Sequence, residues 1–86
     1  MNPQISKLRQ ELVLQDNLLI ETLEKRFEIC KEIGRNKKQN NLPIEDLSRE
    51  KEIIEERVNN PNLNREFTKR LFELIFQESR RLQNVA

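Results

Sequence analysis

After Pro3 the chain runs to about Lys38 without another proline, and the one glycine on the way, Gly34, is not followed by a turn-forming cluster. Apolar residues recur along this stretch at helical spacing: Ile5, Leu8, Leu12, Leu19, Leu23, Cys30 and Ile33. At the helical repeat they fall in one sector about 80° wide. Asn2 followed by Pro3 is a helix start, a side-chain cap before a residue whose φ is already set. Gln39-Asn40-Asn41-Leu42-Pro43 is a stop. A helix of about 35 residues is roughly 50 Å long, longer than a compact domain of this size is wide. Much of it must pack on something beyond its own chain, most simply a second copy.

Two long cations interrupt the apolar stripe. Arg26 falls between Leu23 and Cys30, Lys37 follows Ile33, and Arg9 lies at the edge. A buried cation is costly unless an anion meets it, so the face is suited both to packing and to holding an anion. Arg26 and Lys37 lie about 16 Å apart along the axis and point the same way, so their extended side chains could converge on one small ligand. Arg9 lies about 26 Å from Arg26 on a straight helix. It cannot join that site in its own chain, but the Arg9 of an antiparallel partner could.

Downstream, Asp46 is a candidate cap for a short helix to about Val58, with Glu50, Ile53, Ile54, Arg57 and Val58 inward. Arg49, beside Glu50, is a fourth cation this helix could deliver. Asn59-Asn60-Pro61-Asn62 ends it, and Asn64 starts a third helix running to about residue 84. On that helix Phe67, Leu71, Leu74, Ile75 and Leu82 make one stripe, and Phe72, Phe76, Ser79 and Gln83 its neighbour. Ser79 and Gln83 lie one above the other. The expectation is one all-α domain over residues 1–86, with helices at about 3–38, 46–58 and 64–84. Arg35, Lys38, Lys51 and Arg80 read as ordinary surface cations.

Composition narrows the chemistry. Hydrophobic residues are 35% of the chain and charged residues 36%, so a lone chain has little to bury. The net charge is +1 and the charges are interspersed, so no basic field exists to hold nucleic acid. With no His and one Cys, neither a Ser-His nor a Cys-His pair nor a zinc-type cluster can form. Cys30 reads as a core thiol. With one Gly there is no phosphate-binding loop. No apolar run is long enough for a membrane span and no secretory signal is visible, so a cytoplasmic location is expected. An enzyme built from this inventory works by positioning and electrostatics.

Taken together, these residues resemble the all-helical (type II) chorismate mutases. The resemblance rests on Leu8-Arg9 with Asp16, then Arg26, then Gly34-Arg35-Asn36-Lys37. Pro43-Ile44-Glu45-Asp46-Leu47-Ser48-Arg49-Glu50 follows, and finally Ser79 with Gln83. It covers nearly the whole chain, from about Ile5 to Gln83. Phe27 departs from the pattern, which often has a second basic residue there. The resemblance implies three helices per chain in an intertwined homodimer whose long helices pair. It implies rearrangement of chorismate to prephenate without cofactor, metal or covalent intermediate. Arg9 would enter the partner's site and hold a substrate carboxylate. Arg26, helped by Ser79, would hold a carboxylate in its own chain's site. Lys37 and Gln83 would donate to the ether oxygen whose bond breaks. Glu50 would accept from the ring hydroxyl, with the backbone at Asp46 nearby, and Arg49 would complete the positive field.

Two other readings compete. An isochorismate-pyruvate lyase would share the fold, but that activity generally goes without the Glu50 and Ser79 residue types. A non-catalytic helical dimerisation module would explain the long helix and the charge. It would leave unexplained Arg26 and Lys37 on the apolar stripe, and Glu50 and Gln83 at their positions.

Overall fold

The computed structural model describes residues 2–86, in three helices: α1 (Pro3–Gln39), α2 (Leu47–Arg57) and α3 (Arg65–Val85). Each start is built as its sequence dictates. The Asn2 side chain accepts from the backbone N–H of Gln4 and Ile5, Asp46 from that of Arg49, and Asn64 from that of Phe67. Each cap satisfies donors that the first helical turn leaves without partners. The end of α1 is a Schellman turn. Asn41 takes a left-handed φ of 56°, its N–H bonds the carbonyl of Lys38, and the N–H of Leu42 bonds that of Lys37. Asparagine tolerates this conformation better than other residues with a Cβ, and Pro43 follows immediately.

The middle-sized helix, α3, packs against α1 on one side and α2 on the other. The α1–α3 contacts advance along both helices in the same direction. Arg26 meets Ser79, Gly34 meets Gln83, and Lys38 meets Asn84, so the second half of α1 and α3 run parallel. The chain measures 58 × 25 × 13 Å, with a radius of gyration of 16.8 Å. A compact chain of this length would have a radius of about 12 Å. The long helix therefore projects from the rest.

Little is enclosed. The buried apolar residues are Cys30, Val58 and Phe76, and as many buried residues are polar: Thr68, Ser79 and Gln83. The apolar stripe of α1 divides. Ile5, Leu8, Leu12 and Leu19 stay exposed, while Leu23 is half-buried and Cys30 buried. Ile33, the last member of the expected stripe, is exposed, and Gly34 beside it is buried instead. The stripes of α3 divide too. Phe67 and Leu74 are exposed, and Phe76, Ser79 and Gln83 of the neighbouring stripe face the rest of the chain. Arg57, expected inward on α2, is exposed. No described helix is long and apolar enough to cross a membrane.

Candidate active site

The α1–α3 seam is where the polar residues are buried. Arg26 is half-buried, and its Nη1 donates to Ser79 Oγ at 3.0 Å. The same nitrogen lies 3.6 Å from Cys30 Sγ, and the guanidinium carbon lies 5.7 Å from the centroid of the Phe76 ring. The Ser79 hydroxyl donates to the Ile75 carbonyl at 2.8 Å, so its oxygen presents lone pairs to Arg26. Three neighbours thus fix the guanidinium from one side. None of them is an anion.

Gln83 sits one helical turn beyond Ser79 and is buried against α1. Gly34 makes that possible. A Cβ built on Gly34 would stand 2.6 Å from the Cα of Gln83 and 2.7 Å from its carbonyl oxygen. This glycine therefore has a packing role. It is the point of closest approach between two helix backbones, and only a residue without a side chain fits there. Among the described residues no group hydrogen-bonds the buried Oε1 of Gln83. Buried polar atoms are almost always paired, and this oxygen is an exception; it can only accept, while the Nε2 of the same carboxamide is the donor.

Lys37, one turn after Gly34, is half-buried, and its Nζ donates to the Ile44 carbonyl at 2.8 Å. Its backbone carbonyl takes the N–H of Leu42. The two bonds draw the connection to α2 back onto α1 and fix the ammonium against that connection. An ammonium has three donors, and two are left over. Lys38 also departs from the plain surface pair expected of it. Its Nζ donates to the carbonyls of Asn84 and Ala86, bracing the last turn of α3 just beyond Gln83.

The remaining candidates lie on α2 and on the far half of α1. Asp46 is the α2 cap, its Oδ1 taken by the Arg49 N–H at 3.1 Å. Arg49 lies exposed along α2 and pairs with Glu52 at 3.2 Å, so the structure does not bring it to the seam. Glu50 is half-buried and bonds Arg80 of α3. Arg80 was expected to be an ordinary surface cation, and it is not. Its bond to Glu50 holds the guanidinium pKa above its usual range, partly opposed by burial and assisted by the charges of Glu50 and Glu45. The partners are far apart in sequence, so no local spacing could reveal the pair. Arg9 stands exposed on the projecting half of α1, away from all of these. Beside the seam an open groove of about 820 Å³ runs between α2 and α3, bounded by Leu47, Glu50, Ile54, Val58, Phe76 and Arg80. Phe76 is common to both: it lines the groove, and its ring lies against Arg26.

The chain thus builds a small all-helical scaffold around a polar, cation-bearing seam. It belongs to the chorismate mutase type II family, whose family model matches residues 8–84. It is 38% identical over 74 residues to the bifunctional chorismate mutase/prephenate dehydratase of Buchnera aphidicola, covering 83% of this chain and 19% of that protein. It is 35% identical over 79 residues to the 3-dehydroquinate dehydratase of Pyrobaculum aerophilum, covering 92% of this chain and 24% of that protein. The chain therefore spans about a fifth to a quarter of the length of these curated relatives. A solved structure, a conserved hypothetical protein from Pyrococcus furiosus, superposes with a TM-score of 0.81 at 35% identity. That match covers 96% of this chain and 99% of the other.

Proposed function

We propose that this domain converts chorismate to prephenate, acting as a homodimer. The observations that carry the reading are a fixed Arg26, an ammonium at Lys37 with donors to spare, and the buried carboxamide of Gln83, whose Oε1 has no partner among the described residues. Chorismate is a dianion, and its rearrangement needs no nucleophile, only a folded substrate and a place for growing negative charge. Arg26, with Ser79, holds one carboxylate. Lys37 and Gln83 donate to the ether oxygen, where charge builds as its bond to the ring lengthens. Donors fixed beforehand favour the transition state over the ground state. Clamping both ends of the substrate selects the conformer in which the enolpyruvyl arm lies over the ring. Glu50 accepts from the ring hydroxyl near the backbone of Asp46. Arg49, which pairs with Glu52 in the single chain, adds to the positive field once it releases that partner.

The single chain leaves this site short of a cation and the protein short of a core. A second copy supplies both. It covers Ile5, Leu8, Leu12 and Leu19, which are 46% to 59% exposed, and brings its own Arg9 to the other carboxylate. A purely structural dimerisation module would have an apolar α1–α3 seam, and that is where Ser79 and Gln83 lie buried. The test is direct. Purified protein mixed with chorismate should consume its ultraviolet absorbance and yield prephenate, and Lys37→Ala should abolish the rate. Protein that leaves chorismate unchanged, or releases pyruvate from isochorismate instead, overturns the reading.

A further inference from the structure

One turn of α3 sends three side chains to three destinations. Ser79 meets Arg26 of α1, Gln83 rests on Gly34 of α1, and Arg80 points to Glu50 of α2. Arg80 serves no role in the mechanism above, and its pairing stands apart from every other ion pair among the described residues. The others each join neighbours three or four positions apart on one helix, with at least one side chain more than half exposed. Such pairs contribute little. Arg80 and Glu50 join two helices, with their side chains 31% and 20% exposed.

The geometry of the pair is one-sided. Nη1 of Arg80 donates to Oε1 of Glu50, and Oε2 makes no hydrogen bond among the described residues. A carboxylate accepts at both oxygens, so one oxygen is anchored and the other is open. The single bond fixes where Oε1 lies and leaves Oε2 free to meet another donor. Glu50 and Arg80 both border the α2–α3 groove, with Phe76 between it and Arg26. The oxygen without a partner therefore belongs to a residue that lines this groove.

We infer that Arg80 is a positioning residue for Glu50: it anchors one carboxylate oxygen so that the other is set to accept a hydrogen bond from the ring hydroxyl of the substrate. The inference rests on the proposed chorismate reaction. It assigns Arg80 no contact with the reacting atoms. Its effect passes through Glu50 and so depends on the hydroxyl that Glu50 receives. A simple tie between α2 and α3 would instead affect every substrate alike.

That difference can be measured. Wild type, Arg80→Met and Arg80→Lys are compared on chorismate and on the analogue whose ring hydroxyl is replaced by hydrogen. kcat/KM is the readout, or the inhibition constant of the analogue against chorismate where its turnover is too slow. Arg80→Met should lower kcat/KM for chorismate about tenfold, the scale of one hydrogen bond to a charged group, and leave the analogue within about twofold. The preference for the hydroxylated substrate should then largely disappear, and Arg80→Lys, which can still donate, should restore most of it. Circular dichroism at the assay temperature verifies that the helices are intact. Should Arg80→Met fail to fold, the Arg80→Lys preference decides, and it should lie below that of wild type. Equal losses on both substrates, or no loss on either, overturn the inference. A wild-type protein inactive on chorismate overturns the functional reading and this inference with it, and that is seen before any variant is made.

Discussion

The two halves of α1 are one unbroken helix with one apolar period, and the fold treats them oppositely. From Asn2 to Thr22 every residue is exposed except the half-buried Ser6. From Leu23 onward the same helix packs on α3, enclosing Cys30 and Gly34 and half-burying Arg26 and Lys37. The first half carries more of the apolar stripe and buries less of it. The second carries cations on the stripe and buries much of them. Amphipathic periodicity states that a face will be covered, but not by which chain. The half that keeps its leucines exposed is the half that the proposed dimer would cover.

The strongest way to break this contrast is to charge the projecting half. Leu8→Glu with Leu12→Glu should abolish cooperative folding if that surface is buried between copies, because four carboxylates per dimer would lose their hydration. On a truly solvent-facing helix the same changes would shift stability by about 0.5 kcal/mol or less. Sedimentation mass and thermal melting distinguish the outcomes. Wild-type melting midpoints should rise with protein concentration, as they do when folding and association are coupled. A stable helical monomer at low micromolar concentration would sink the dimer.

The next test joins the halves. Arg9→Ala removes a residue of the first half and Lys37→Ala one of the second, and each homodimer should be nearly inactive. Refolded together, about half the dimers are mixed, and each mixed dimer carries one site with both lesions and one with neither. Activity should return to about a quarter of wild type. Confirmed mixed dimers without recovery would remove Arg9 from the partner's site.

Gly34→Ala sharpens the contrast within the second half. By helix propensity alone alanine should stabilise α1 by about 1 kcal/mol. Here its Cβ would meet backbone atoms of Gln83 at 2.6 and 2.7 Å, so α3 must shift, and overpacking of this kind costs about 1–3 kcal/mol. We expect a lower melting midpoint and a turnover reduced at least tenfold, since displacing a donor by about 1 Å can cost a hundredfold. A higher midpoint with unchanged turnover would mean that the helices do not touch there. The smallest effect belongs to Lys38→Met. It removes the donor to the Asn84 and Ala86 carbonyls, a contact worth about 0.5 kcal/mol. Amide exchange should quicken in the last turn of α3 while the melting midpoint barely moves.

Much of the architecture was legible in local signals. The three caps, Asn2, Asp46 and Asn64, act within three residues of themselves, and the proline-bearing stops act over a similar range, so chain order alone places the helices. The polar interruptions at Arg26, Lys37, Ser79 and Gln83 were legible because a periodic apolar face makes a misplaced polar residue conspicuous. The lone glycine was the signal that could have revealed a close approach at Gly34, but what approaches it lies 49 positions away in Gln83. Arg80 gave no such signal. A charged residue next to Ser79 satisfies any surface pattern, and its pairing with Glu50 appears only when α2 folds back along α3.

The sequence by itself therefore determined the helices, their order, and the residue types available for chemistry, because caps, proline and hydrophobic period act over one or two turns. Tertiary structure alone decided which stripe of each helix is enclosed within the chain. It decided that Gly34 admits Gln83, that Lys38 braces the last turn of α3, and that Arg80 rather than Arg49 is bonded across helices. Those choices depend on how two rigid helices approach, and an approach of a few ångströms between residues tens of positions apart leaves no local trace in the chain.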